Sequence, residues 1–382
     1  MDHPKKQWFA FNLTRLLRTV FAPKAGERIA ILIDLPRPEE VKDFRFLRNQ
    51  ALEIQRYAHD LFYLRLKKSG LGELNLRGGE LFAYAITGGS NLDLPDRAMT
   101  PDGRELSFDK DIYPNYDILL CVSTFSATAP LTAAAKRFGF RGATLHGLNE
   151  IIVDTGLSVD YNEVSRNTEK LRLGLTAADS FEIDFVVGGQ PQTLKILCGR
   201  QEAQKSHGLA RGEKPDIVNL PAGEVYYVPT GAEGHFPLRY EDGTLGLMEV
   251  VKGRIQKAIL LRGESRVVEA HNQKLAEDPV VGELGELGFG AQELPPSGRD
   301  IQDEKILGTL HVATGRSDHL GGKLTPDKFI NPRNATHDDI LFSPTTTPEI
   351  QVPQVRMFRG GEVKVVIENY APSAYLRQLL AS

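Results

Sequence analysis

Arg28-Ile29-Ala30-Ile31-Leu32-Ile33-Asp34 is an unbroken apolar run, rich in β-branched side chains and bounded by charge. A strand covered on both faces reads this way, and such strands belong to parallel sheets flanked by helices. Tyr116-Asp117-Ile118-Leu119-Leu120-Cys121-Val122-Ser123 repeats the pattern; a helical stretch over 129–138 follows it, then a third strand over 141–145. Strand, helix, strand in this rhythm predicts an open α/β layer. Upstream, Phe11, Leu13, Leu16, Leu17 and Val20 mark one face of an amphipathic helix within 9–21, and a broken helix is expected over 38–66. Residues 86–115, dense in Gly, Asp and Pro, read as an irregular excursion. Ser123-Thr124-Phe125-Ser126-Ala127-Thr128 lies where α/β sheets bind ligands, beyond a strand's carboxyl end. Without a Gly-x-Gly-x-x-Gly it predicts no nucleotide site, and capping of the next helix by Ser or Thr is the simpler reading.

A polar helix over 162–178 ends this regime. Shorter β runs follow at 180–187, 192–198, 224–228, 244–250, 255–261 and 306–312, and a strand over 362–368 and a helix over 374–380 close the chain. The fold class expected is α/β: an N-terminal open α/β sheet domain, 1–175, and a C-terminal mixed α+β domain, 176–382.

A chain of 382 residues can bury two substantial cores. Its formal net charge of −4 gives no basic surface for nucleic acid or anionic membrane, and Lys5-Lys6 is too thin to make one. Cys121 and Cys198 lie in separate apolar runs, which predicts buried free thiols and no disulfide framework. The N-terminus lacks a signal peptide's apolar segment, and no run is long enough to span a bilayer, so a cytoplasmic protein is expected.

The second half also carries five potential metal ligands. They are Glu224 in Leu-Pro-Ala-Gly-Glu-Val, Glu286 in Gly-Glu-Leu-Gly-Phe-Gly, His311 in Gly-Thr-Leu-His-Val-Ala, and His337 and Asp339 in Thr-His-Asp-Asp-Ile. Two imidazoles and three carboxylates suit zinc, cobalt, manganese or ferrous iron better than a metal that prefers thiolates. Taken singly, each has a structural reading: His311 as a core histidine, Glu224 and Glu286 as loop carboxylates. His337 and Asp339 make the stronger pair, because a spacing of two on a strand points both to one face. Five ligands exceed one ion's needs, and two ions sharing a bridging carboxylate would use them all.

In order and flanking residues these segments, with Glu233-Gly234 and Gly321-Gly322, resemble the aminopeptidase T family of dinuclear metallopeptidases. The likeness runs over roughly 140–345, with specific motifs only after 220. It implies a hydrolase with two divalent ions (Zn, Co, Mn or Mg) held by Glu224, Glu286, His311, His337 and Asp339. Glu286 would be the bridge and a catalytic residue, with a peptide substrate and a homodimeric assembly. That family places a tyrosine seven residues after the histidine matching His311, where this chain has Asp318. Asp318 is therefore a candidate ligand or base in the tyrosine's place, and Glu233 is a further candidate base. The fold also has relatives that cleave dihydroxypyridine rings with one Fe(II). The sequence therefore admits three functions: a dinuclear aminopeptidase, a mononuclear ferrous ring-cleaving dioxygenase using His311, His337 and Asp339, and a non-catalytic peptide-binding protein.

Overall fold

Ile29 to Ile33 lie at the centre of a sheet and are fully buried, as an apolar run without alternation requires. The computed structural model describes residues 8–382 and has an α/β fold. It divides into two units, one of Met1–Ser165 with His207–Ala222, the other of Arg166–Ser206 with Gly223–Ser382. The division falls inside the helix Tyr161–Leu175, ahead of the expected change at 175, and 207–222 returns to the first unit.

The first unit is a seven-stranded sheet in the order Asp216–Asn219, Arg141–His146, Ile118–Ser123, Arg28–Leu35, Arg77–Ala85, Arg97–Met99, Glu105–Ser107. Its first five strands run parallel and the last two antiparallel. Helix Thr128–Phe138 stops at Gly139, whose φ of 89° is the left-handed conformation a helix end favours. Helix Leu13–Phe21 starts at Asn12, whose side chain accepts from the Arg15 amide. The expected broken helix is a 3-10 segment, Pro38–Arg48, followed by a helix from Glu53 to Leu74 that widens into π turns.

The hydroxyl-rich stretch does not cap its helix by the expected device. Asn91 Oδ1, from the excursion, accepts from the Ala129 amide at 2.8 Å. Thr124 instead donates its amide to Asp34 at 2.9 Å, closing the crevice between two strand ends. Both cysteines are buried and unpaired with each other, and burial pushes each thiol up to about 12.

The second unit contains two antiparallel sheets. One has eight strands in the order Arg254–Arg262, Leu245–Val251, Gly231–Arg239, Gln190–Leu197, Ser180–Val187, Ile350–Arg359, Glu362–Glu368, Ala371–Pro372. The other has five, in the order His337–Phe342, Leu310–Gly315, Leu284–Gly290, Glu224–Tyr227, Gln204–Ser206. Aromatic side chains of the five-stranded sheet meet those of the larger one: Phe289 lies 5.1 Å from Phe181 and Phe342 lies 4.8 Å from Phe185, centroid to centroid. Such contacts supply the burial that joins sheets face to face. Among the described residues, no helix is long and apolar enough to cross a membrane.

Candidate metal centre

Period-two alternation decides which side chains share the other face of the five-stranded sheet. Val225 and Tyr227, Leu287 and Phe289, Leu310 and Val312, and Phe342 belong to the unit's apolar core. By parity Glu224, Glu286, His311, His337 and Asp339 occupy the opposite face, on four neighbouring strands. Register sets each ligand beside a small residue: His311 pairs with Gly288, Glu224 with Gly290, Asp339 with Ala313, His337 with Gly315. The glycine motifs of the sequence thus leave lateral room for the ligands. At Gly288 a Cβ would lie 2.0 Å from His311 Cε1, so the imidazole occupies the volume that any other side chain would need.

All five residues converge. His337 Nε2 lies 3.0 Å from Glu286 Oε2 and 3.3 Å from Asp339 Oδ1. His311 Nε2 lies 3.3 Å from Glu286 Oε1, 3.8 Å from Glu224 Oε2 and 3.9 Å from Asp339 Oδ1. The ligand atoms fall into two groups that share Glu286, one with His337 and Asp339, the other with Glu224 and His311. Four of the five residues are buried, whereas the Asp339 side chain keeps 25% of its surface. A cavity of about 190 Å³ reaches Asp339, with Arg239, Arg299, Leu341 and Thr346 among its lining residues. The cluster therefore opens to solvent on the Asp339 side.

Two further residues belong to the cluster. Lys305 is 1% exposed, its Nζ 2.7 Å from Glu224 Oε2 and in hydrogen-bond contact with Glu304 Oε1. Glu304 also groups with His311 and Asp339. Asp-Glu-Lys-Ile reads in sequence as a solvated charged turn. A loop crossing buries it: a Cβ on Gly290 would lie 2.0 Å from the Ile306 carbonyl oxygen, so only glycine admits this backbone. Asp318 stands apart from the cluster, its carboxylate held by Arg316 with Nε at 2.7 Å. Glu233 is exposed on the other sheet, opposite Lys195.

The electrostatics follow from these contacts. Burial disfavours charge on Glu286, but hydrogen bonds from both histidines more than compensate and bring its pKa down to about 2. Burial alone would depress His311, yet Glu286, with Asp339 and Glu304, pulls it up to about 10. His337 is raised well above its ordinary value against the same burial, chiefly by Asp339. Glu304 and Glu224 share one ammonium, and Asp339 lies near Glu304. Burial, reinforced by the other two carboxylates and only partly opposed by Lys305, pushes Glu304 up to about 8.

The donor set fits a divalent ion. His337 Nδ1 donates to the Arg316 carbonyl oxygen at 2.6 Å. Metal-binding histidines typically fix their tautomer in this manner, which presents Nε2 to the ion. Among the described residues His311 Nδ1 is buried without a hydrogen-bond partner, so packing over Gly288, and not a second hydrogen bond, orients that ring.

No family model matches the chain, and no curated protein matches it either. Among solved structures it is similar to the 2,5-dihydroxypyridine dioxygenase from Pseudomonas putida KT2440. The TM-score is 0.59 at 14% identity, covering 95% of this chain and 95% of that one. At that identity the likeness defines the fold.

Proposed function

We propose that this protein is a metal-dependent dioxygenase that opens a hydroxylated aromatic ring. One ion would be held by Glu286, His337 and Asp339, with His311 alongside. The observation that carries this reading is the convergence of two imidazoles and two carboxylates at one point that opens to solvent through Asp339. Three or four protein ligands on an ion leave coordination positions free for small molecules. Further support is the whole-length likeness to a dioxygenase of hydroxylated pyridine. A ferrous ion bound there would supply the one-electron chemistry that lets O2 react with a closed-shell ring.

The chain's own residues do the rest. His337, anchored on the Arg316 carbonyl, offers a fixed Nε2. Glu286 lies between the two imidazoles, 3.0 Å from His337 Nε2 and 3.3 Å from His311 Nε2, and would give the ion a carboxylate there. Glu304, which groups with His311 and Asp339, is the buried carboxyl placed to exchange a proton with a ring hydroxyl. The cluster is walled by buried residues on the other sides, and Asp339 lies at the mouth.

A second reading, the dinuclear aminopeptidase, is favoured by one observation: the ligands split into two groups sharing Glu286. Against it, Glu224 is already engaged by Lys305, and Asp318 by Arg316. The test is a parallel assay of the full chain. Protein loaded with Fe(II) is given dihydroxylated pyridines and benzenes under air, and protein loaded with Co(II) or Zn(II) is given leucine anilide. Oxygen-dependent loss of ring absorbance supports the proposal. Anilide hydrolysis without any ring loss replaces it with the peptidase.

A further inference from the structure

Glu224, Glu286 and His311 form a complete three-ligand group next to the one proposed to hold the ion. In this structure the Glu224 carboxylate of that group contacts an ammonium, the Lys305 Nζ at 2.7 Å. The same nitrogen contacts Glu304, and Glu304 itself groups with His311 and Asp339. A divalent ion placed among these carboxylates would make the same pairings.

The lysine is built in from its backbone. Its carbonyl oxygen accepts from the Ala291 amide at 3.0 Å and the Gln292 amide at 2.8 Å. Those residues continue directly from the Glu286 strand. The segment lies over Gly290, which is the register partner of Glu224. With a side chain that is 1% exposed, the ammonium has no solvated position within easy reach. A second divalent ion would have to share Glu224 with a fixed positive charge only a few ångströms away, and like charges at that range in a buried site repel strongly.

We infer that the Lys305 ammonium stands in the place of a second metal ion, and that it makes this centre mononuclear. The inference rests on the reading of the cluster as a metal centre, and it deepens that reading by naming what limits the site to one ion.

The experiment is equilibrium dialysis of the full chain against Co(II), with metal and protein assayed on the same samples. Wild type is expected to hold one ion per chain and Lys305→Met two, with the second lost again in Lys305→Met/Glu224→Gln. Lys305→Met leaves two carboxylates buried without their cation, so Lys305→Gln, which keeps hydrogen-bond donors, is the companion variant. For both, Co(II) is expected to raise thermal stability more than it does for wild type. Two ions on wild type would overturn the inference without recourse to any variant, and so would a single ion on folded Lys305→Met or Lys305→Gln. A wild type with one ion and no oxygen-dependent activity would remove the dioxygenase reading and leave the role of Lys305 intact.

Discussion

Gly288 is the register partner of His311, and the imidazole lies across the position where a Cβ at 288 would stand. The glycine keeps a backbone conformation open to other residues, since it is absent from the positive-φ positions. Its role is therefore space. Gly288→Ala is expected to fold but to displace the ring, weakening Co(II) binding by roughly 10- to 100-fold, the usual effect of losing a ligand's support. A competition titration with a chelating dye measures it. Unchanged affinity would show that His311 does not need its present position.

Asp338 and Asp339 provide an internal control. Asp338 Oδ2 accepts from Thr336 Oγ1 at 2.6 Å, while Asp339 Oδ1 approaches both imidazoles. Asp339→Asn is expected to weaken ion binding by at least roughly 10-fold, since it replaces a charged ligand with a neutral one, and Asp338→Asn to leave it near wild type. Calorimetric titration of the two variants side by side decides this, and equal losses would contradict the assigned face.

Asp318 occupies the position where the resembled peptidases carry a tyrosine, yet its carboxylate pairs with the buried Arg316. Asp318→Ala is expected to cost roughly 1–3 kcal/mol of stability, the scale for weakening the pairing of a buried charged group, with little change in ion affinity. Urea unfolding and ion titration on the same preparation test both halves. Weakened ion binding at unchanged stability would make Asp318 a ligand.

His271 gives a pH-dependent prediction away from the centre. Burial, with a smaller contribution from Lys274, lowers its pKa from 6.5 to about 4, and the Tyr240 hydroxyl lies 2.7 Å from Nδ1. Between those values the unfolded chain takes up a proton that the folded one refuses. The contribution is therefore complete above pH 6.5 and is lost as the pH falls toward 4. The unfolding midpoint of wild type relative to His271→Phe is expected to drop over that interval. Parallel profiles would show that His271 titrates alike in both states.

The parts of the fold with a strong local period were legible in the sequence. The run 29–33, the strand Glu362–Glu368 and the helix Thr128–Phe138 announce themselves by apolar spacing alone. Strand Arg77–Ala85 was not legible, because Gly78 and Gly79 beside charged residues interrupt its apolar pattern. Both glycines have positive φ, at 88° and 74°, and lie at a bulge in the pairing. Strand Asp216–Asn219 joins the first sheet from a segment that looks like a polar loop, and only tertiary pairing fixes it. At the site, the five candidate residues were named from glycine-flanked motifs, the His337/Asp339 spacing and the resemblance to the metallopeptidases, and the fold brings them within reach of one another. Lys305 and Glu304 could not, because a Glu-Lys pair becomes buried only when its loop crosses Gly290. The closest signal was Gly290 itself, a glycine at a strand end with no turn to explain it.

The proposed dioxygenase adds oxygen from O2 and not from water. The direct measurement is isotope incorporation into product on the first substrate that the Fe(II)-loaded full chain turns over, run once under labelled O2 and once in labelled water. Both atoms of labelled O2 are expected in a ring-opened product, with no label fixed from water beyond exchange, and His337→Ala is expected to abolish the incorporation. Label arriving from water alone, in a product formed equally well without O2, would contradict it and identify the protein as a hydrolase.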